Sequence, residues 1–126
     1  MIRRMLALAL IAVFATVLVG GCSETQEETI ENTMRDYYSA YNAEDWEACL
    51  GHIDDTNAAG ATMIESTLKT ARATTGEVTV ESVTNINITG STATANVKIT
   101  YGDQSESKLY SLVKKDGGWK ISWPWV

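Results

Sequence analysis

The chain has 126 residues, of which 44% are hydrophobic and 21% charged, with one proline and nine glycines. This length suits a single domain, and the composition excludes a disordered or collagen-like chain. The formal net charge of −6 argues against binding to nucleic acid, which normally needs a basic surface. The two cysteines are too few for a disulfide scaffold or a four-cysteine zinc site.

Residues 1–21 are organised like a secretory signal peptide. Arg3 and Arg4 form a short basic start, and residues 5–19 are almost wholly hydrophobic. Small residues follow, as they do before a signal-peptidase cleavage point. The hydrophobic stretch is shorter than the ~20 residues that cross a bilayer as a helix. We therefore interpret residues 1–21 as a leader that is removed.

The segment Leu18-Val19-Gly20-Gly21-Cys22 resembles the bacterial lipobox. This resemblance implies that Cys22 is lipidated on its sulfur, for example with palmitate, and becomes the new N-terminus. The alternatives are an ordinary signal peptide that ends near a cysteine and an uncleaved anchor. Each acyl chain contributes about 0.8 kcal/mol per buried CH₂ group. We therefore expect a lipid-anchored protein on the extracytoplasmic side of a bacterial cell membrane, within the cell envelope.

Cleavage before Cys22 leaves a polar tether over residues 22–28 and a folded domain over residues 29–126. The leader contains two of the ten basic residues and none of the sixteen acidic ones. An anionic membrane would repel so acidic a domain mildly, because like charges meet at the surface. The lipid on Cys22 is therefore expected to provide the attachment.

Hydrophobic residues at spacings of three and four predict three amphipathic helices, over residues 30–41, 46–53 and 63–71. Thr29 is predicted to cap the first helix and Asn42 to end it. Asp45 or its neighbour Glu44 suits the start of the second helix. Gly76 is well placed to end the third, because glycine readily adopts the left-handed conformation found after helices.

After residue 76 the hydrophobic period changes to two, which predicts four strands joined by turns at residues 90–91, 102–103 and 116–118. Val83 lies on the wrong parity, which indicates a bulge near residues 82–85. Closely spaced turns are typical of an antiparallel meander, and helices that precede strands favour an α+β fold. The helices are expected to cover one face of a bent sheet, leaving a hollow at one end.

Two segments are similar to the nuclear transport factor 2-like (NTF2-like) superfamily, a cystatin-like roll. They are Tyr37-Tyr38-Ser39-Ala40-Tyr41-Asn42-Ala43-Glu44-Asp45-Trp46 in the first helix and Asp116-Gly117-Gly118-Trp119-Lys120-Ile121 at the last hairpin. The resemblance covers about residues 28–123. It implies N-terminal helices packed on a curved antiparallel sheet, as in small bacterial lipoproteins with an NTF2-like domain of unknown function. It also implies a homodimer through the open sheet face. The fold alone does not fix the function.

Tyr37 matches a tyrosine that, in the ketosteroid isomerase branch of the superfamily, donates a hydrogen bond to a developing oxyanion. That branch also has a carboxylate base, which the resemblance would place near residues 57–61, where no acid occurs. Asp54 and Asp55 lie several residues too early. The alternative is that Tyr37 and Tyr41 are aromatic residues of the helix core. An isomerase- or dehydratase-like enzyme is therefore the second hypothesis, and not the first.

Other reactive residue types have plain structural interpretations. His52 is the only histidine, so it cannot form a two-histidine metal site. It could act as a base with Asp54 or Asp55, but a histidine at a helix end is more often solvated. Cys49 lies on the hydrophobic stripe of the second helix and is expected in the core. The acids after residue 53 do not match a calcium loop, so no metal and no cofactor are predicted.

Trp119, Trp123 and Trp125 alternate in the last strand and so share one face. They are predicted either to fill the core beneath the helices or to form an aromatic pocket wall or a dimer face. The favoured function is non-catalytic binding of a small apolar ligand or of an envelope protein. The candidate ligand-binding residues are Tyr37, Tyr41, Trp119 and Trp123.

Overall fold

The structure, a computed structural model, describes residues 25–55 and 60–123. The leader and the proposed lipidation site at Cys22 lie outside the described residues. So does the last of the alternating tryptophans, Trp125. The side chain of Asp55 is also outside the described part.

The described residues form three helices and five strands in the order α1 (Gln26–Asn42), α2 (Trp46–Gly51), β1 (Ile53–Asp55), α3 (Ala61–Thr75), β2 (Thr79–Thr89), β3 (Thr92–Tyr101), β4 (Gln104–Lys115) and β5 (Gly118–Trp123). The strands form one sheet in the order β1-β5-β4-β3-β2. Strands β2 to β5 are an antiparallel meander, and β1 adds to β5 in parallel. The predicted α+β class, with N-terminal helices packed on the sheet, is confirmed.

Helix α1 begins earlier than the hydrophobic pattern indicates. Thr25 is its N-cap, and the Thr25 hydroxyl accepts a hydrogen bond from the backbone N–H of Glu28 at 3.1 Å. The prediction that Thr29 caps the helix is wrong, because its hydroxyl lies one turn inside and donates to the Thr25 carbonyl. Residues 26–28, predicted as tether, are the first turn of the helix. This turn faces solvent and its acids suit the helix dipole, so it shows no hydrophobic period.

Helix α2 ends at Gly51, so the prediction that it reaches Ile53 is wrong. Ile53 instead lies in β1, opposite Ile121 of β5. The backbone N–H of Ile121 also donates to the His52 carbonyl at 2.8 Å. Without β1, strand β5 would expose a row of unpaired backbone groups at the sheet edge. A contact with a distant part of the chain therefore overrides the local helical spacing.

Other boundaries agree with the sequence. Asp45 caps α2, with its side chain accepting from the Ala48 N–H at 3.2 Å. Gly76 ends α3 at a φ of 74°, in the region that favours glycine. The three predicted turns lie between the strands as expected. The predicted bulge is confirmed by breaks in the β2–β3 register on either side of Val83.

The core lies between the helices and one face of the sheet. Helix α1 packs against β2 and β5, and it contacts α2 and α3. The predicted inward face of β3 is confirmed, since its alternate residues Ala93, Ala95, Val97 and Ile99 are buried. The opposite face presents mainly short polar side chains. No helix within the described ranges is long and hydrophobic enough to span a membrane.

Candidate functional site: a tyrosine-lined cavity

A cavity of about 190 Å³ opens between α1, α3 and the helix-covered face of the sheet. Four aromatic residues line it: Tyr37, Tyr38, Tyr41 and Tyr101. Four aliphatic residues complete the apolar lining: Leu68, Ala71, Val78 and Ile99. An engineered apolar cavity of about 150 Å³ holds benzene, whereas drug-sized ligands occupy about 300–1,000 Å³. The space therefore suits a ligand about the size of one ring.

Helix α1 positions three of the tyrosines, because Tyr37, Tyr38 and Tyr41 all lie on its buried stripe. The Tyr37 and Tyr38 rings are 4.9 Å apart between centroids and meet at 76°. The Tyr38 and Tyr41 rings are 5.8 Å apart and meet at 72°. Trp46 of α2 meets Tyr41 at 89° from outside this group. Such edge-to-face pairs stabilise a cluster by about 0.5–1.5 kcal/mol each, so these rings hold one another in place.

Hydroxyl groups of the tyrosine cluster form hydrogen bonds within the protein. The Tyr38 hydroxyl shares a buried hydrogen bond with the Tyr110 hydroxyl. Tyr110 is opposite Ala95 in the β3–β4 register, which places its ring on the helix-covered face. The Tyr41 hydroxyl lies 3.1 Å from the Thr75 hydroxyl of α3. These bonds tie α1 to β4 on one side of the cavity and to α3 on the other.

Burial raises the pKa of all four tyrosines in this cluster: Tyr37, Tyr38, Tyr41 and Tyr110. Desolvation disfavours the charged phenolate, and neighbouring hydroxyls would add like charge. For Tyr41, the hydrogen bond to Thr75 and the nearby guanidinium of Arg72 act in the opposite direction. The hydroxyl groups therefore stay protonated at physiological pH, and the cavity presents neutral aromatic walls.

Two charged residues of β4, Glu106 and Lys108, also line the cavity. They lie opposite Ile99 and Val97 of β3, so both are on the helix-covered face. The Lys108 ammonium is 3.4 Å from the Glu106 carboxylate, with the side chains 37% and 40% exposed. Sequence reasoning missed both residues because residues 104–108 show no hydrophobic alternation. Their positions could have revealed them. Glu106 and Lys108 lie four and two residues before the buried Tyr110, so all three fall on the same face of the strand.

The predicted binding residues separate into two groups. Tyr37 and Tyr41 line the cavity, but Trp119 and Trp123 do not. Trp119 is 4% exposed in the core, and Trp123 is half-buried against it. Trp119 lies opposite Lys114 of β4. Lys114 is six residues along that strand from Lys108, which lines the cavity, so Trp119 is about 20 Å from Lys108 along the sheet. The prediction that the tryptophans bind the ligand together with the tyrosines is therefore corrected. The tryptophans lie on the same face of the sheet as the tyrosines, but at its other end.

His52 is half-buried at the C-terminal end of α2 and lies outside the cavity lining. Burial lowers the pKa of His52, Asp36 of α1 opposes this shift, and Lys120 adds to it. Asp54, its proposed partner, instead forms an ion pair of 2.5 Å with Lys115. Of the two acids considered as partners of a catalytic His52, Asp54 is therefore paired elsewhere, and the side chain of Asp55 lies outside the described part.

His52 is expected to make the protein less stable in mild acid. Its folded-state pKa lies below the ordinary value of 6.5, so the unfolded chain binds more protons between these two values. Stability is therefore complete above 6.5 and falls as the pH drops from 6.5 towards the folded pKa. Urea unfolding of the wild type and of His52→Gln at about pH 7.5 and pH 5 checks this. We expect a smaller acid-induced loss in the variant; equal losses would contradict it.

Cys49 is fully buried, as its place on the hydrophobic stripe predicts. Its sulfur lies 3.8 Å from the Tyr37 carbonyl oxygen. Burial raises the pKa of its thiol to about 11, so it is a poor nucleophile at neutral pH. Within residues 25–55 and 60–123, no three histidine, cysteine or acidic side chains are grouped so as to hold a metal ion.

Comparison with known proteins identifies both the fold and the family. A solved structure from Campylobacter jejuni, described as an NTF2-like transpeptidase, matches with a TM-score of 0.54 at 17% sequence identity, covering 73% of this chain and 95% of that chain. At this identity the likeness shows the fold alone, which is NTF2-like. No curated protein sequence matches the chain at a significant level. The model of the family "Low molecular weight antigen MTB12, C-terminal domain" matches residues 45–126, more than half of the chain. The chain therefore belongs to the MTB12 C-terminal domain family and has an NTF2-like fold.

Proposed function

We propose that this domain binds a small, largely apolar organic ligand in the tyrosine-lined cavity, without catalysing a reaction. The observation that carries the proposal is the lining itself, in which aromatic and aliphatic side chains surround a space of about 190 Å³. Binding sites for small molecules are typically concave and mostly apolar, with a few placed polar groups. The internal bonds of the Tyr38 and Tyr41 hydroxyls favour binding over acid–base chemistry.

Filling the cavity is expected to abolish binding. Ala71 of α3 lines the space, so Ala71→Phe places a ring where the ligand would lie. The control is Ala73→Phe, at an exposed position of the same helix. Titrating the purified full-length proteins with p-cresol, followed by calorimetry, should show at least about a tenfold loss for Ala71→Phe alone. Equal affinities in all three proteins, or no p-cresol binding to the wild type, would count against the proposal.

Native mass spectrometry of the gently purified protein provides a second test. A mass above that of the chain indicates a retained ligand and allows its identification. A clean chain mass together with no p-cresol binding would redirect the search to an envelope protein partner. The NTF2-like resemblance also suggests a homodimer through the open sheet face, which carries the exposed Leu109. We propose that dimer as well, and sedimentation showing only monomer at high concentration would rule it out.

A ketosteroid isomerase- or dehydratase-like activity is the second candidate. The observation in its favour is that Tyr37 and the carboxylate of Glu106 line the same cavity. A steroid is too large for a space of this volume, so a small ketone is the appropriate substrate probe. Isomerisation of 3-cyclohexenone that is faster than in buffer and abolished by Glu106→Gln would establish the enzyme. The binding proposal expects no such acceleration.

We infer further that Cys22 carries the lipid that anchors the domain to the extracytoplasmic face of the cell membrane. The support is the order of basic, hydrophobic and small residues that ends at Cys22. Replacing Cys22 with alanine in the full chain should move the protein from the membrane to the soluble fraction of the bacterium. Cys49→Ala is the matched control and should stay on the membrane. Mass spectrometry of the N-terminal peptide should show acylation only where Cys22 is present.

A further inference from the structure

We propose that the tyrosine-lined cavity recognises a methylated ammonium group, which lies against the tyrosine rings with Glu106 as its counter-charge. This inference rests on the ligand-binding function proposed above and names the class of ligand.

The tyrosine rings present aromatic surface to the cavity. A tyrosine ring carries negative charge on its face, so a cation within about 6 Å of the ring centre is attracted to it. Tyr38 stands nearly perpendicular to both Tyr37 and Tyr41, at 76° and 72°. These rings pack edge to face and also line the cavity, so a cation inside it would lie against aromatic surface. Aromatic surface of this kind is what proteins use to recognise quaternary ammonium groups.

Internal hydrogen bonds occupy hydroxyl groups of the tyrosine cluster. The Tyr38 hydroxyl bonds to Tyr110, and the Tyr41 hydroxyl bonds to Thr75. For these two tyrosines, a ligand would therefore contact the ring and not the hydroxyl. A quaternary, fully methylated ammonium suits such walls, because it has no N–H to satisfy and its charge is spread over methyl groups. A ligand that depends on hydrogen bonds would gain less from them.

The carboxylate of Glu106 supplies a negative charge at the cavity. It shares the helix-covered face with the rings, being opposite the buried Ile99. Its partner Lys108 is 3.4 Å away, and both side chains are more than a third exposed. Such exposed ion pairs are weak, so a cation in the cavity can replace the lysine at low cost. The guanidinium of Arg72 does not line the cavity, and it donates to the Asn42 carbonyl at 3.1 Å.

Size and overall charge agree with this assignment. A trimethylammonium group is no larger than a benzene ring, which a cavity of about 150 Å³ accommodates. The net charge of −6 favours the approach of cations over anions. The same chemistry occurs in free quaternary amines and in choline lipid headgroups, so the experiment has to separate these sources.

The test compares choline with 3,3-dimethylbutan-1-ol, which has the same shape but no charge. Both are titrated by calorimetry into the purified full-length protein in an uncharged maltoside detergent. We expect choline to bind at least about tenfold more tightly than the alcohol. Glu106→Gln should remove that preference, and Lys108→Gln should strengthen choline binding. Glu65→Gln is the control, because Glu65 also pairs with a lysine, Lys69, but lies on α3 outside the cavity lining.

The possible outcomes separate this inference from the binding function. Equal affinities for choline and the alcohol would overturn the ammonium site and leave a site that selects by shape. Binding of p-cresol with no binding of choline would overturn it in the same way. Failure of all three probes would overturn both proposals. Where choline binds, competition by phosphatidylcholine in mixed maltoside micelles, but not by phosphatidylglycerol in the same micelles, assigns the source to a lipid headgroup. Absence of competition assigns it to a free amine.

Discussion

Replacing Trp119 with alanine is expected to lower the free energy of unfolding by about 3–5 kcal/mol. Trp119 is 4% exposed and lies on β5 beneath α1, so its removal leaves a large cavity in the core. Urea unfolding followed by circular dichroism measures the change without relying on tryptophan fluorescence. Leu109→Ala is the control, because Leu109 is 56% exposed on the open face and should change stability by no more than about 0.5 kcal/mol.

The same variant separates the two interpretations of the tryptophans. Trp119 lies about 20 Å along the sheet from the cavity, so folded Trp119→Ala should bind p-cresol as the wild type does. A large loss of affinity with unchanged stability would place Trp119 in the binding site, as the sequence pattern allowed. A stability change as small as that of Leu109→Ala would contradict its place in the core.

Replacing Asn42 with alanine is expected to cost about 2–4 kcal/mol of stability. Its side-chain amide donates to the Val78 carbonyl at 2.7 Å, and its amide oxygen accepts from the Val78 N–H at 2.7 Å. This pair of bonds ties the end of α1 to the residue just before β2. Val78 is 5% exposed, so the alanine variant leaves two nearly buried backbone groups without these partners. Chemical denaturation measures the loss.

The control for Asn42→Ala is Asn87→Ala. The Asn87 side chain is exposed and donates a single bond of 3.3 Å to the Asn85 carbonyl, so little stability should be lost. Asn42→Asp keeps the acceptor and removes the donor, and it should lie between the two. Because Val78 lines the cavity, Asn42→Ala should also weaken p-cresol binding. Equal stabilities of the two alanine variants would show that Asn42 does no more than end the helix.

Much of the fold could be predicted from local signals. Gly76 ends α3 because its φ of 74° suits glycine, and Asp45 caps α2 because its short side chain reaches a free N–H. The turns and the bulge near Val83 follow from turn residues and from a break in alternation. Each of these features depends on a few neighbouring residues, so it can be predicted from the local sequence.

The failures at Ile53, at the two charged residues of β4 and at the tryptophans share one physical cause, which is contact between distant segments. Ile53 has helical spacing, but pairing with Ile121 at the sheet edge makes it a strand residue. From the sequence alone, Glu106 and Lys108 would be taken for surface charges. The β3–β4 register places them on the helix-covered face. Trp119 shares that face with the tyrosines, and only the register shows how far apart they lie along β4.

The sequence by itself determined the order of the three helices and of strands β2 to β5, and the amphipathic stripe that carries Tyr37 and Tyr41. These depend on periodicity and turn chemistry, which act over a few residues. The NTF2-like resemblance rests on the two segments that match that superfamily. Only the tertiary structure decided where the expected hollow lies, that Glu106 and Lys108 line it, and that the tryptophans do not. A cavity is the space that α1, α3 and the sheet leave unfilled, so its lining depends on how all three pack.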